Sequence, residues 1–384
     1  MKNNDTGRVH YLCFYSESEV EDKLVAYPSV ISKIDYIVEV VKRLGRNVVI
    51  VSIAPSKRGL FSGFCKEIDK KEKHIYLPSY TPSNEFLKKT FFLFHSCTVL
   101  LYLLKNVKRN DKVVVYHSLY NRLWMKIYSA LNRKNVILQI EDVFSELTND
   151  AKRFSKGERR LFHKVRKCLC INDILYEELK DVQRKAVSYG SYHLPPKFET
   201  LSHEKIRVVY AGVIEQERKA AYLAAETIRF LPEQYEVHIL GFGTHKDIQE
   251  LAACICRINK IMGRQAVFYH GKKTGEDYWR FLQGCDIALS THAYDENSMS
   301  SANYTFPSKV LTYMANDLPV VAQRIDVLQK SQISDNLYFY DQPQPEQIAG
   351  AVMRAENAKK LNGRQRIKEL DQNFMISMKV LLEE

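Results

Sequence analysis

The sequence lacks most of the signatures that mark a specialised class of protein. Its eight cysteines form no Cys-x-x-Cys pair and are not accompanied by a histidine cluster of zinc-site spacing, so we expect reduced thiols. No Asp-x-Asp metal motif occurs, and neither a metal ion nor a resident cofactor is expected. The first residues, MKNNDTGRVHYL, lack the apolar core of a signal peptide, so we expect a cytoplasmic protein.

Long apolar runs are also scarce. The strongly apolar segment 91–104, FFLFHSCTVLLYLL, is flanked by lysines but is interrupted by His95 and Ser96. It is shorter than the roughly 20 residues that a spanning helix needs. A second segment, 120–135, mixes aromatic and basic side chains. Both segments fit core-facing helices, and both also fit peripheral contact with a membrane surface.

The charge and composition describe a globular protein with an acidic partner. The chain has 384 residues, 45% of them hydrophobic, which suits two or three domains. Its net charge of +12 is compatible with nucleic acid, an anionic membrane or a phosphorylated small molecule. No nucleic-acid-binding motif occurs and the basic residues are spread over both halves, so we do not expect a nucleic-acid partner.

Short β-branched runs alternate with helical patterns in both halves, which is typical of parallel sheets covered by helices. A turn-rich linker at 192–204 separates the halves. We therefore predict an α/β protein of two doubly wound, Rossmann-like domains, 1–192 and 205–384, facing across a cleft. The last helix is expected to stay with the second domain or to pack back on the first. The predicted strands cover residues 9–15, 47–53, 112–116, 135–140, 167–171, 206–211, 235–240, 266–269, 286–290, 318–322 and 336–340. The predicted helices cover residues 31–44, 218–230, 246–261, 277–283 and 308–315.

Glycines end several predicted strands of the second half, where open α/β folds bind ligands. Gly212 ends the run VVYAG, and Arg218 and Lys219 follow at the start of a helical pattern. This arrangement suits a phosphate. The same residues would also fit an ordinary turn glycine followed by two solvent-exposed charged side chains. Gly241 lies in the partial glycine-rich turn HILGFGTHKD, and Gly271 ends VFYHG. Each of these two signals is weak alone.

Residues 300–321, SSANYTFPSKVLTYMANDLPVV, place a proline at the start of a helical pattern. Pro307 lacks the amide hydrogen that a first helical turn leaves unused. We expect the remaining free amides near 308–310, together with the charge of Lys309, to suit a diphosphate. An ordinary capped helix with an exposed lysine is the alternative, but the long polar loop before it favours a binding role.

The order of these motifs from 206 to 322 resembles nucleotide-sugar glycosyltransferases of group 1, the family 4-like type with the GT-B fold. The resemblance rests on strand-Gly, HILGFG, CDIALS and FPSKVLTYMANDLPVV, and the first half matches only in outline. It implies a donor site in the C-terminal domain and an acceptor site in the N-terminal domain. The implied reaction moves a sugar from a nucleoside-diphosphate donor to a glycan or lipid-linked acceptor in surface polysaccharide assembly, with retention favoured, in the cytoplasm or at the inner face of the membrane.

Carried over residue by residue, the resemblance implies a set of donor-binding positions. Tyr304 and Thr312 stand where many members have two glutamates, one of which binds the ribose, so the ribose contact differs in this chain. No metal ligand is implied. The candidate donor-binding residues are Gly212, Arg218, Lys219, Gly241, Gly271, Asn303, Tyr304, Ser308, Lys309 and Thr312.

The candidate catalytic residues follow predicted strands of the first half. Glu141 and Asp142 follow VILQI, where the resemblance implies a histidine near the reacting carbon. A carboxylate there could orient an acceptor hydroxyl or stabilise positive charge on the sugar, or it could cap the helix of FSELT. His117, after KVVVY, is a reserve candidate, although a lone histidine is more often structural.

Two other functions stay open. A sugar-nucleotide epimerase of the same fold would need paired acid and base groups around the sugar, and the sequence offers no convincing second group. A non-catalytic subunit that binds a glycan or nucleotide would account for the missing glutamates. Nucleotide binding without turnover on any acceptor would favour that subunit.

Overall fold

A computed structural model describes residues 7–82, 88–132, 135–147, 155–200, 202–217, 219–294, 302–357 and 362–383. The chain divides into two compact units, Met1–Ser191 with Gln372–Glu384, and Tyr192–Asp371. The division after residue 191 lies at the start of the linker identified from the sequence. The final 13 residues group with the first unit, not with the second.

The first unit is built on a largely parallel sheet in which only the strand at one edge runs antiparallel among the described pairings. Every residue of its central strands is buried, as expected of a sheet covered on both faces. A separate ribbon pairs β3 (Gly59–Phe61) with β6 (Ser79–Thr81). In spatial order the sheet contains β10 (Arg184–Val187), β9 (Lys167–Cys170), β8 (Val136–Ile140), β7 (Lys112–Tyr116), β1 (Val9–Cys13), β2 (Val48–Ser52), β5 (Glu72–Tyr76) and β4 (Phe64–Glu67).

Strand β1 pairs in parallel with both β2 and β7, so the direction of the crossovers reverses between β1 and β7. A reversal of this kind opens a crevice beyond the carboxyl ends of the two strands. Helices cover the sheet, and the turn Leu119–Asn121 is a short 3₁₀ helix. The helices are α1 (Pro28–Arg43), α2 (Lys88–Asn106), α3 (Arg122–Asn132), α4 (Phe144–Leu147), α5 (Ser155–Lys164) and α6 (Asp173–Glu178).

Helix α2 contains the apolar segment 91–104. Phe91, Val99 and Leu103 are buried against the unit, whereas Leu101 and Leu104 are 69% and 63% exposed. The helix therefore has an apolar side on the surface as well as one in the core. None of the helices in the described ranges combines the length and the apolar character needed to cross a membrane.

The second unit contains a sheet whose described pairings are all parallel. Its crossovers reverse between β11 (Ile206–Val213) and β14 (Ile287–Ser290), which places a second crevice at the carboxyl ends of these strands. The remaining strands are β12 (Tyr235–Phe242), β13 (Val267–Tyr269), β15 (Val320–Gln323) and β16 (Leu337–Tyr340). The helices are α7 (Ala220–Thr227), α8 (His245–Met262), α9 (Gly275–Gln283), α10 (Lys309–Ala315), α11 (Asp326–Gln329) and α12 (Pro345–Asn357), with 3₁₀ turns at Ile228–Phe230 and Ser334–Asn336.

Helix α13 (Gly363–Leu382) begins in the second unit and ends in the first. Its Phe374 ring stacks on Tyr36 of α1, with the ring centroids 5.7 Å apart. Lys167 Nζ donates to the carbonyl of Leu381 at 2.8 Å, which ties the end of the helix to strand β9.

The α/β class predicted from the sequence is confirmed, and every predicted strand and helix is present with ends that differ by a few residues at most. The predicted helix over 218–230 is shorter, since α7 begins at Ala220 and the 3₁₀ turn continues to Phe230. Strands β3 to β6 were not predicted, because they are short and none of them contains a continuous buried apolar run.

Candidate functional site

Three glycines predicted to bind the donor meet at the carboxyl ends of the second sheet. Gly241 has φ 154°, and a β-carbon there would stand 1.9 Å from the carbonyl oxygen of Gly212. The amide of Gly241 donates to the carbonyl of Gly271 at 3.0 Å. Gly241 is buried, so it acts as the packing point that lets the ends of β11 and β12 approach each other. Gly212 and Gly271 remain the partly exposed members of the group.

Lys309 reaches Gly212 from the start of α10. A β-carbon added at Gly212 would meet Lys309 Nζ at 1.8 Å. The ammonium also lies 5.0 Å from the centre of the Tyr210 ring, a cation–π distance. The Tyr210 hydroxyl donates to the carbonyl of Val213 at 3.1 Å. The half-buried ammonium group of Lys309 therefore lies beside the backbone of Gly212, at the crevice of the second sheet.

Tyr313 fixes the end of β11, and sequence reasoning did not single it out as a functional residue. Its hydroxyl accepts from the amide of Ala211 at 2.8 Å and donates to the carbonyl of the same residue at 3.2 Å. The ladder to β14 ends one residue earlier, at Tyr210, so the phenol satisfies backbone groups that no strand pairs on that side. Because Tyr313 and Lys309 share helix α10, this contact also sets the helix beside Gly212.

The start of α10 differs from the prediction in one respect. Ser308 takes the N-cap position and Pro307 precedes it, so the proline lies outside the first turn. The amides of Ser308 and Val310 donate to the carbonyls of Phe306 and Pro307. The prediction of free amides near 308–310 is therefore wrong for these two, because the tight turn before the helix uses them. The Lys309 ammonium is the group that remains suited to an anion.

The other predicted donor residues occupy varied surroundings. Lys219 is exposed, has φ 53° and precedes α7 without a side-chain capping bond. Thr291 Oγ1 donates to the carbonyl of Ala220 at 2.8 Å, which holds the start of α7 beside the end of β14. Arg218 lies outside the described residues. Asn303, Tyr304 and Thr312 are half-buried and Ser308 is exposed.

Glu141 and Asp142, at the end of β8 in the first unit, have different environments. Glu141 is buried and accepts from Lys33 Nζ and Gln139 Nε2 at 2.7 and 2.6 Å. Lys33 Nζ also donates to the carbonyl of Ser188 at 2.7 Å. Burial lowers the pKa of Lys33, and the charge of Glu141 opposes that shift. A carboxylate used in this way is a structural ion pair, which leaves Asp142 as the candidate for chemistry.

Asp142 is half-buried at the edge of a cavity. Burial raises the pKa of its carboxyl group to about 6, and the neighbouring negative charge of Glu141 acts in the same direction. Such a group is mostly ionised at pH 7 and can still exchange a proton near neutral pH. The alternative interpretation, a cap for the following helix, does not hold for Asp142, because the amides of Phe144 and Ser145 donate to Glu158.

His117, the reserve catalytic candidate, lies in the core. Its side chain is fully buried, with Nε2 2.7 Å from Glu158 Oε1 and its ring edge-on to Phe162 at 4.8 Å. Burial would raise the pKa of Glu158, but the hydrogen bonds from His117 and Ser145 outweigh it and hold the pKa below its usual value. His117 therefore orients the Glu158 carboxylate that caps α4, and its ring cannot touch a substrate.

The cavity beside Asp142 has a volume of about 590 Å³ and opens at the carboxyl ends of the first sheet. Phe14 and Tyr116, which follow β1 and end β7, meet edge to face in its wall with centroids 5.8 Å apart. Phe91 and Phe92 of α2 form another part of the wall. The position matches the crevice that the sheet topology predicts.

Comparison with known proteins assigns the second unit. Residues 205–357 match the family of glycosyl transferases group 1. These residues form a group 1 glycosyltransferase domain. No curated protein sequence matches the chain. The resemblance stated from the motifs is confirmed, and so is the prediction of a glycosyltransferase.

Solved structures share the fold along nearly the whole chain. A structure described as trehalose-6-phosphate from E. coli bound with UDP-2-fluoro glucose has a TM-score of 0.65 at 9% identity and covers 98% of this chain and 99% of its own. The UDP-forming α,α-trehalose-phosphate synthase from Burkholderia xenovorans, in complex with glucose-6-phosphate, has a TM-score of 0.65 at 10% identity and covers 98% and 100%. Sucrose-phosphate synthase from Thermosynechococcus elongatus has a TM-score of 0.66 at 12% identity and covers 98% and 98%. The predicted GT-B fold is confirmed.

The group 1 glycosyltransferase domain spans β11 to α12 and includes the Gly212–Lys309 contact. Asp142 and its cavity lie outside the matched residues. The family match therefore supports the donor side of the prediction, whereas the acceptor side depends on the geometry of the first unit alone.

Proposed function

We propose that this glycosyltransferase moves a sugar from a nucleoside diphosphate to a hydroxyl group of a glycan or lipid-linked acceptor in surface polysaccharide assembly. The observation that carries the proposal is the Lys309 ammonium held against Gly212 at the crevice of the group 1 domain. UDP-sugars are the first donors to test, because the structural neighbours include a UDP-2-fluoro glucose complex and a UDP-forming synthase.

In the proposed reaction the bond from the anomeric carbon to the diphosphate oxygen breaks, and a bond from that carbon to the acceptor oxygen forms. The departing diphosphate gains negative charge, and Lys309 lowers the free energy of that charge in the transition state. Asp142 accepts a hydrogen bond from the acceptor hydroxyl and orients its oxygen. The acceptor proton passes to the departing diphosphate, so atoms and charge balance.

Two finer features belong to the proposal. Transfer with retention is supported by the family resemblance, and the anomeric configuration of the product, read by NMR, tests it. A reaction without a metal ion is supported by the absence of an Asp-x-Asp motif from the sequence. Activity that survives EDTA would agree with it, and activity lost to EDTA and restored by Mg²⁺ or Mn²⁺ would contradict it.

The donor site is tested by calorimetric titration of the full chain with UDP, GDP, ADP and CDP. One nucleotide is expected to bind selectively, and Lys309→Ala is expected to weaken it by about 10- to 100-fold, since a charged hydrogen bond contributes about 1.5–3 kcal/mol. Lys260→Ala is the matched control, because Lys260 is exposed in the last turn of α8, at the opposite end of the sheet from the strand carboxyl ends. Failure of all four nucleotides to bind would overturn the proposal.

We also propose that the enzyme acts at the inner face of a membrane. Exposed apolar side chains line both α2 and α3, which contact each other, and exposed Lys105 and Lys126 lie on the same two helices. Apolar side chains beside lysines suit an anionic bilayer surface. The α2–α3 surface consists of Leu93, Phe94, Leu101, Leu104, Leu123, Ile127 and Leu131.

Sedimentation with phosphatidylcholine vesicles, with and without phosphatidylglycerol, tests this placement. The chain is expected to bind the anionic vesicles, and Leu101→Glu with Leu131→Glu is expected to abolish binding. Ile376→Glu is the matched control, since Ile376 is 64% exposed and belongs to α13, not to α2 or α3. Equal co-sedimentation of the chain with both kinds of vesicle would contradict the membrane contact. Binding that the double variant retains would contradict it too.

A further inference from the structure

The cavity beside Asp142 has walls with little capacity to bind a sugar. Phe14, Phe91, Phe92 and Phe144 supply rings without polar atoms, and two valines and two prolines extend an apolar wall that also contains the rings of three tyrosines. A buried hydroxyl without a hydrogen-bond partner costs about 1–3 kcal/mol, and a sugar ring carries several hydroxyls. The lining therefore disfavours a ligand that is polar on all sides.

Two hydroxyl side chains in the wall already donate their hydrogens to backbone carbonyls. Ser56 Oγ donates to the carbonyl of Gly59 at 2.6 Å, and Thr81 Oγ1 donates to the carbonyl of Ser56 at 2.5 Å. Ser118 Oγ accepts from the amide of Tyr120 at 3.3 Å. Among the described lining residues Asp142 is the one acidic group. The cavity thus combines one carboxylate with a mainly apolar interior, which suits a ligand with a hydroxyl at one end and a hydrocarbon beyond it.

We propose that the cavity binds the hydrocarbon portion of the acceptor, so that the enzyme uses amphipathic acceptors whose reacting hydroxyl lies close to an alkyl or prenyl chain. This inference rests on the proposed glycosyl transfer and names the class of acceptor for it. The cavity volume of about 590 Å³ lies within the range of about 300–1,000 Å³ that is usual for small-molecule sites.

Helix α2 supplies the argument for a chain that continues beyond the cavity. Phe91 and Phe92 line the cavity, and Leu93 and Phe94, the next two residues, are exposed on the α2–α3 surface. Phe92 itself packs against the Tyr120 ring at 5.3 Å. A hydrocarbon chain anchored in a membrane at that surface would enter the cavity along helix α2.

Calorimetric titration of the full chain with methyl, butyl, hexyl and octyl β-glucosides, each below its micelle concentration, tests the inference. Affinity is expected to rise about three- to fourfold for each methylene that enters the cavity. Val30→Phe, which adds a ring to the cavity wall, is expected to remove this dependence on chain length. Phe92→Ala, at a residue 38% exposed, is expected to weaken octyl glucoside binding at least tenfold without a folding defect.

Phe230→Ala is the matched control, since Phe230 is 43% exposed in the second unit and lies outside both proposed sites. Equal affinity for the methyl and octyl glucosides would overturn the inference, and so would a chain-length dependence that Val30→Phe leaves unchanged. Titration of the same samples with the four nucleoside diphosphates separates the two proposals. Intact Lys309-dependent binding of the preferred nucleotide with no chain-length effect rejects the apolar acceptor alone, whereas failure of UDP, GDP, ADP and CDP to bind rejects the donor site.

Discussion

The ammonium group of Lys309 occupies the space in which a side chain at residue 212 would begin. A β-carbon on Gly212 would lie 1.8 Å from Lys309 Nζ and 2.8 Å from the Tyr210 hydroxyl. The φ of Gly212 lies outside the left-handed region, so the glycine is required by space and not by backbone conformation. The close approach brings a cation to the end of strand β11 without a side chain in between.

Gly212→Ala is expected to weaken binding of the preferred nucleoside diphosphate by about tenfold, because the new methyl group displaces the Lys309 ammonium. Stability is expected to fall by about 1–2 kcal/mol, since the buried Tyr210 hydroxyl, 2.8 Å from the new methyl group, has to move as well as the flexible end of the lysine. Calorimetry and urea unfolding measure the two effects. Gly350→Ala is the control, because a β-carbon there meets Arg354 at an ordinary 3.7 Å. Unchanged affinity in Gly212→Ala would show that the contact has no part in donor binding.

Asp142→Asn is expected to stabilise the protein at pH 7. The pKa of Asp142 is raised from 3.8 to about 6, chiefly by burial, so its ionisation in the folded state costs about 3 kcal/mol at pH 7. The folded state holds this proton more tightly than the unfolded state, so stability falls as the pH rises from about 4 to 6. Urea unfolding should show a gain of about 1–3 kcal/mol at pH 7 that disappears near pH 4. The exposed Asp22→Asn serves as the control, and an equal gain at both pH values would contradict the prediction.

The Asp142 carboxylate is also expected to make kcat/KM decrease at acid pH, which gives the pH profile an acid limb. Protonated Asp142 has lost its negative charge and is a weaker hydrogen-bond acceptor for the substrate hydroxyl, so kcat/KM should fall below about pH 6, where the raised pKa of this residue lies. Asp142→Asn is expected to reduce kcat/KM by about 100-fold at pH 7 and to remove the limb. Initial rates from pH 5 to 8 measure both effects. A limb that persists in the variant would assign it to another group.

Glu158→Gln is expected to destabilise the first unit by about 1–3 kcal/mol at pH 7, because the buried carboxylate accepts from His117 and from the first amides of α4. The pKa of Glu158 is held below its usual value, so this contribution is present above about pH 4.5 and is lost as the pH falls through the lower folded-state pKa. Urea unfolding at pH 7 and pH 4 measures it. His117→Gln should likewise lower stability, while kcat of the folded enzyme stays within about twofold. A large loss of kcat in this variant would indicate that His117 has a catalytic role.

Much of the fold was predictable because buried parallel strands have a distinctive sequence. VVIVS and VILQI are almost continuous β-branched or aliphatic runs, and the structure buries every residue of both. The glycine at 212 and the lysine at 309 were predictable individually from strand-Gly and Pro-Ser-Lys. Their contact joins positions 97 residues apart, and only the sheet topology brings the two together.

The parts of the site that sequence reasoning missed have no local signal. Lys33 lies in an amphipathic helix, yet its charge is buried against Glu141, 108 residues later. Glu158 caps a helix that begins 14 residues before it, so no capping pattern precedes that helix. Tyr313 offered the one available hint, as the tyrosine of Pro-Ser-Lys-x-x-x-Tyr, but its bond to the Ala211 backbone is not encoded by that spacing.

Helix α13 returns the chain to the unit in which β1 lies, and this has a consequence for the order of folding during synthesis. Tyr36 and Lys167 emerge from the ribosome well before Phe374 and Leu381, the residues they contact. The second unit, Tyr192–Asp371, is contiguous and can fold as soon as it has been translated. The first unit, although translated earlier, has to wait with part of its surface uncovered until the last helix is released.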